Sequence, residues 1–221
     1  MQRIMLGKML NPVRGFMDAT AAVASLAALV VLVVLTAHDL PRMLSMIVYS
    51  LSLVALYTTS ALYHSIPWRP RWKQRMQRLD HSMIFVLVAG SFTPIAFNVL
   101  NGAWRVTVLA VVWAVAVVGV VQKVVWPRVR QWFSVTLQTS LGWFVLVPFL
   151  ELVRRLSGGA IILIAAGGIL YTIGMILFTM RRPRFAPRVF SYHEVFHVFV
   201  ISASLLHFLA VLIYVVPFPR A

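Results

Sequence analysis

The 221-residue chain contains no cysteine. Disulfide staples, thiolate metal sites and a cysteine nucleophile are therefore excluded. Acidic residues are almost as scarce, at five, and only 11% of the chain is charged. An ordinary soluble domain carries about 25% charged residues. No internal repeat or low-complexity tract is present. These shortages rule out a cytosolic globule, and the apolar content rules out a disordered chain. Apolar residues make up 61% of the chain, and mean hydropathy is +0.90. An integral membrane protein is the class left. A spanning helix needs about 20 apolar residues, so seven take about 140 and leave roughly 80 for loops and tails, too few for a sizeable soluble domain.

Seven apolar segments stand out, over residues 19–37, 43–64, 80–99, 104–122, 132–150, 160–179 and 193–216. The expected fold is all-α, a seven-helix membrane bundle, with residues 1–221 forming one membrane domain. Pro, Gly and Arg clusters separate the segments and end the helices. Trp68, Trp72, Trp104, Trp126 and Trp132 fall near predicted ends, where indole rings prefer the headgroup level. Pro94 is expected to kink the third segment rather than to do chemistry. The first segment follows basic residues as a secretory leader would. Its apolar run exceeds the 7–15 residues of a leader core, so it is expected to stay as the first span.

The formal net charge is +15. The basic residues lie between apolar runs, which points to anionic lipid headgroups as partners and not to nucleic acid. With the N-terminus inside, the inner segments hold 15 basic residues and the outer ones hold 5. The positive-inside rule then predicts a cytoplasmic N-terminus and an external C-terminus. A multi-pass protein of a plasma membrane, most simply a bacterial cytoplasmic membrane, is expected.

Ionisable residues inside a span are costly and by default suggest function. They are His64, Asp80, His81, His193, Glu194, His197 and His207; Asp18, Asp39, Glu151 and His38 are read as end or loop residues. In the expected topology all of the first group except His207 fall near the cytoplasmic face. His193 and His197 stand four apart and project from one helix face. His64 can add a third nitrogen, and three His with an open fourth position is a catalytic zinc pattern. Asp80 can then bond the water or take its proton, and Ser60, four before His64, can support the site or bond an intermediate. The run His193–His197 also matches H-E-x-x-H, which leaves Glu194 as a second candidate base or as a group at the helix start. His81 is read as a headgroup contact, and His207 as a polar helix contact or part of a substrate or proton path.

Three blocks carry a family resemblance: Ser60-Ala61-Leu62-Tyr63-His64; Leu79-Asp80-His81-Ser82-Met83-Ile84-Phe85 with Ala89-Gly90-Ser91-Phe92-Thr93-Pro94; and His193-Glu194-Val195-Phe196-His197-Val198-Phe199. They resemble the haemolysin III family, the bacterial branch of the progestin and adipoQ receptors. The resemblance covers essentially the whole chain. It implies seven helices, an inside N-terminus and a zinc ion near the cytoplasmic face. The implied ligands are His64, His193 and His197, with Asp80 holding the water and Ser60 at the position of the family serine. It also implies a link to ceramide-type lipid hydrolysis, to membrane-fluidity homeostasis and, by the family's name, to cytolysis. About 18 residues precede the first span, where the receptors carry a long cytoplasmic region, so hormone recognition is not expected. Three functions follow as expectations: a zinc-dependent hydrolase of a lipid amide or ester, a non-enzymatic membrane sensor with structural zinc, or a pore-forming lytic protein.

Overall fold

Asn11 precedes Pro12, and a proline at the first helical position is pre-set for a helix start. Helix α1 accordingly runs Pro12–Thr36, beginning seven residues before its apolar run. The computed structural model describes residues 5–6, 9–126, 131–186 and 189–219. Of the basic residues in the orientation count, Arg3, Lys8, Arg128, Arg130, Arg188 and Arg220 lie outside the described residues.

Proline opens the next two helices as well. Helix α2 spans Leu40–Ser65, with Asp39 accepting from the Arg42 amide, and α3 spans Pro70–Val99. α3 continues for five residues beyond Pro94, with Asn98 donating its side-chain amide back to the Pro94 carbonyl at 2.8 Å. Helix α4 covers Gly102–Val125, α5 Gln131–Trp143, α6 Phe149–Arg155, α7 Gly158–Met180 and α8 Tyr192–Ala210. A wider helical turn, Val211–Val215, extends α8. The strands Met5–Leu6 and Met9–Leu10 pair antiparallel ahead of α1.

The protein is an all-α, multi-pass membrane protein. Six helices are long and apolar enough to cross a bilayer. The segment expected as one span over 132–150 is instead two helical stretches, Trp132–Leu146 and Phe149–Arg155, bent by 46°. Pro148 stands in the break. It has no amide proton, and its ring clashes with the carbonyl four residues earlier, so the helix cannot pass through it straight.

Neighbouring helices pack in chain order from α1 to α4, α7 packs on α8, and α1 also touches α8. Small residues permit the close approaches. On α7, a Cβ at Gly174 would come within 2.8 Å of the Phe199 Cβ, and one at Gly167 would collide with the His207 ring. Tyr49, Met46, Leu32 and Phe85 are fully buried between helices, whereas Val23, Val30 and Val34 on α1 face outward as lipid-facing residues do. α2 and α8 run antiparallel in register. Tyr57 lies seven residues before His64, and Ser204 lies seven after His197. Their hydroxyls meet at 2.7 Å, and Tyr171 of α7 joins Ser204 at the same distance.

Candidate metal centre

The last turn of α2 and the first turns of α8 bring three imidazoles together. His64 and His197 are buried and His193 is half-buried, and one ligand nitrogen from each lies within 4.8 Å of the others. The α-helical repeat sets the His193 and His197 rings parallel, 5.1 Å apart with a 7° interplanar angle. His64 presents its ring edge-on to both, at 5.0 and 5.2 Å. These three residues lie close enough to hold a metal ion. Zinc–nitrogen bonds of about 2.1 Å in a tetrahedron bring nitrogens to roughly 3.4 Å of each other. Imidazole χ2 rotations, chiefly of His64 and His193, are soft and can contribute to that closure.

The surrounding groups fit such an ion. The Nδ1 of His197 bonds Asp18 Oδ1 at 2.9 Å, while its Nε2 is buried with no hydrogen-bond partner. A carboxylate on Nδ1 fixes the proton there and leaves Nε2 as a bare lone pair, the state a metal requires. Asp18 itself is fully buried, and its Oδ2 accepts from Ser60 Oγ at 2.9 Å. Asp80, ten residues into α3, is buried in the same cavity, within electrostatic reach of His197, Asp18 and Ser60. Among the described residues neither carboxylate makes an ion pair with Lys or Arg. Two buried carboxylates beside three imidazoles are a poor arrangement without positive charge, and a dication supplies it.

The sequence reading placed Asp18 at a helix end with no special role; the structure corrects this. Hydropathy drew the first span from residue 19, but α1 has already completed two turns there. The Asn11-Pro12 start signal was the cue that puts Asp18 inside the helix. Glu194 is also resolved. Its Oε1 accepts from Arg14 at 2.6 Å and its Oε2 from the Ser191 amide at 2.8 Å, so it caps α8 and ties it to α1. Ser60 gives its one proton to Asp18. His81 lines the cavity and offers its carbonyl to Gln138, and the His207 ring bonds the Ile164 carbonyl at 3.2 Å as a helix contact.

The trio and Asp80 close one end of a cavity of about 390 Å³, whose other walls are mainly apolar, including Leu87, Phe92, Val145 and Ile164. That volume lies within the usual range for a small-molecule or lipid-chain site.

Fold and site together define a multi-pass helical membrane protein with an intramembrane histidine cluster facing an apolar cavity. The comparisons with known proteins narrow the class. A family model described as "Haemolysin-III related" matches residues 9–208. "Hemolysin-3" of Bacillus cereus is 35% identical over 170 residues, covering 77% of this chain and 74% of that protein. "Hemolysin-3 homolog" of Bacillus subtilis (strain 168) is 32% identical over 177 residues, 80% of each chain. The chain belongs to the haemolysin III family.

Proposed function

We propose that this protein is a zinc-binding, seven-span protein of membrane lipid homeostasis that hydrolyses an amide or ester bond of a membrane lipid. One observation carries the reading: the bare, buried Nε2 of His197, grouped with His64 and His193, faces an apolar cavity. A closed structural site has no need of an adjoining cavity, whereas a catalytic site keeps an open position beside its substrate.

Zinc bound to three imidazoles would polarise a carbonyl and bring the pKa of water in its fourth position to about 7. The chain supplies the rest. Asp80 accepts a proton from the attacking water and returns it to the leaving amine or alcohol. Apolar walls hold the acyl chain and keep bulk water away from the reacting carbonyl. Ser60 supports Asp18; a bond from Ser60 to a developing oxyanion requires its proton to leave that carboxylate.

Parity supports seven crossings. α4 reaches the histidine end, where Gln122 accepts from Ser134 of α5. α7 starts at the opposite end, where Gly159 meets Tyr214, and returns to the histidine end with Phe178 against His193. This parity supports the reading in which the bent α5–α6 pair is the seventh crossing. Basic residues such as Arg69, Arg71, Arg75 and Arg78 at the histidine end support a cytoplasmic side for that end, as the positive-inside rule expects for a plasma membrane. The cysteine-free chain makes this testable. An Arg71→Cys variant should resist an impermeant thiol reagent on whole cells, and Arg154→Cys should react; the reverse pattern overturns the orientation.

The functional test is metal content of the purified protein, followed by fatty-acid release from vesicles carrying amide- or ester-linked lipids, with and without a zinc chelator. About one zinc per chain and chelator-sensitive release are expected. Zinc without release on any such lipid favours the sensor with structural zinc. Zinc-independent conductance in lipid vesicles favours a pore.

A further inference from the structure

We infer that Asp18 is a positioning residue of the metal centre: it holds the His197 tautomer that turns Nε2 toward His64 and His193, and so makes α1 a determinant of zinc affinity. The inference rests on the metal-binding reading above. Asp18 is one of only five acidic residues, and it is completely buried. A carboxylate is costly there unless its charge is answered. Its two oxygens meet His197 Nδ1 and Ser60 Oγ, both at 2.9 Å. Arg14, one turn earlier on the same face of α1, is engaged instead by Glu194 at 2.6 Å. The charge that answers Asp18 therefore lies beyond the imidazole, at the nitrogen His197 leaves bare. A carboxylate placed so raises the basicity of the other ring nitrogen and prevents ring rotation, and losing such a partner weakens metal binding by about 10–100-fold.

The two α1 contacts to α8 separate positioning from packing. Asp18 meets His197, whereas Arg14 meets Glu194, which points away from the trio into the α8 cap. The experiment is zinc affinity of the full chain in detergent, stripped of metal and titrated against a chromophoric chelator, with cobalt(II) absorption reporting ligand geometry. Asp18→Ala should weaken zinc about 10–100-fold and alter the cobalt spectrum. Asp18→Asn, whose amide oxygen still accepts from Nδ1–H, should fall between Ala and wild type, and it carries the test if the Ala variant fails to fold. Arg14→Ala should bind zinc as wild type does. Wild-type affinity in both Asp18 variants overturns the inference alone. So does an Arg14→Ala loss equal to that of Asp18→Ala, because helix packing would then explain both. A wild-type chain that binds no zinc overturns the metal reading and this inference with it.

Discussion

At one end of α2, Arg42 is buried and its guanidinium donates to the Val216 and Phe218 carbonyls at 2.5 and 2.6 Å, with Asp39 3.5 Å from Nε. At the other end, about 33 Å away by helix rise, His64 meets His193 and His197 of α8. The first cluster joins α2 to the turn that follows the α8 extension, the second to the first turns of α8. In the Arg42 cluster Nε also lacks a hydrogen bond, but the guanidinium charge is answered by two carbonyls and the Asp39 carboxylate of the chain itself. In the histidine cluster a buried ring nitrogen is bare, and among the described residues two carboxylates lack a Lys or Arg partner. Buried polar groups left unanswered are expensive. A cluster whose charge is answered within the chain holds helices together; buried carboxylates without a cation leave room for one from outside.

That contrast can be broken in stages. The largest expected effect is on metal: His64→Ala and His197→Ala should each reduce zinc from about one per chain to near zero by mass spectrometry. Retained zinc in either would separate α2 from α8 at the site. Next, Asp80→Asn should keep zinc and lower lipid hydrolysis by about 10²–10⁴-fold, the usual weight of a general base; unchanged turnover on a verified substrate removes Asp80 from that role. At the other end, Arg42→Ala should cost about 1–3 kcal/mol in unfolding experiments by orphaning two carbonyls, with zinc content unchanged. Zinc loss there would mean that the two ends are coupled along α2. The smallest effect is expected for Glu194→Gln. It can keep the bond to the Ser191 amide but sets an NH2 donor against Arg14, losing that hydrogen bond and the charge, so stability should drop by about 1–2 kcal/mol, with zinc and turnover retained. Lost turnover would restore Glu194 as a base.

Much of this molecule is readable along the chain. Four of the seven apolar segments lie wholly within one helix, the first and last overrun theirs by one residue, and the fifth is broken in two. α1 and α3 begin early at Pro12 and Pro70, and Pro148 bends the fifth segment. The His193–His197 pair follows from helical spacing alone. Joining it to His64 required that those helices share a depth, which charge counting supplied. Glu194 fits H-E-x-x-H as well as it fits a helix cap; only Arg14 and the Ser191 amide on its two oxygens decide between them. Asp18 was missed because an acid just ahead of an apolar run looks like an end residue.

The sequence by itself determined the membrane class, the helices and the residues with metal-ligand chemistry, because hydropathy, proline positions and the 3.6-residue repeat are properties of short stretches of chain. Tertiary structure alone decided which of those residues are completed and by what. His197 and Asp18 stand 179 residues apart, and their bond exists only because α1 lies against α8. Which helix faces meet depends on how small and large side chains interlock across the whole bundle, and no single stretch of sequence contains that information.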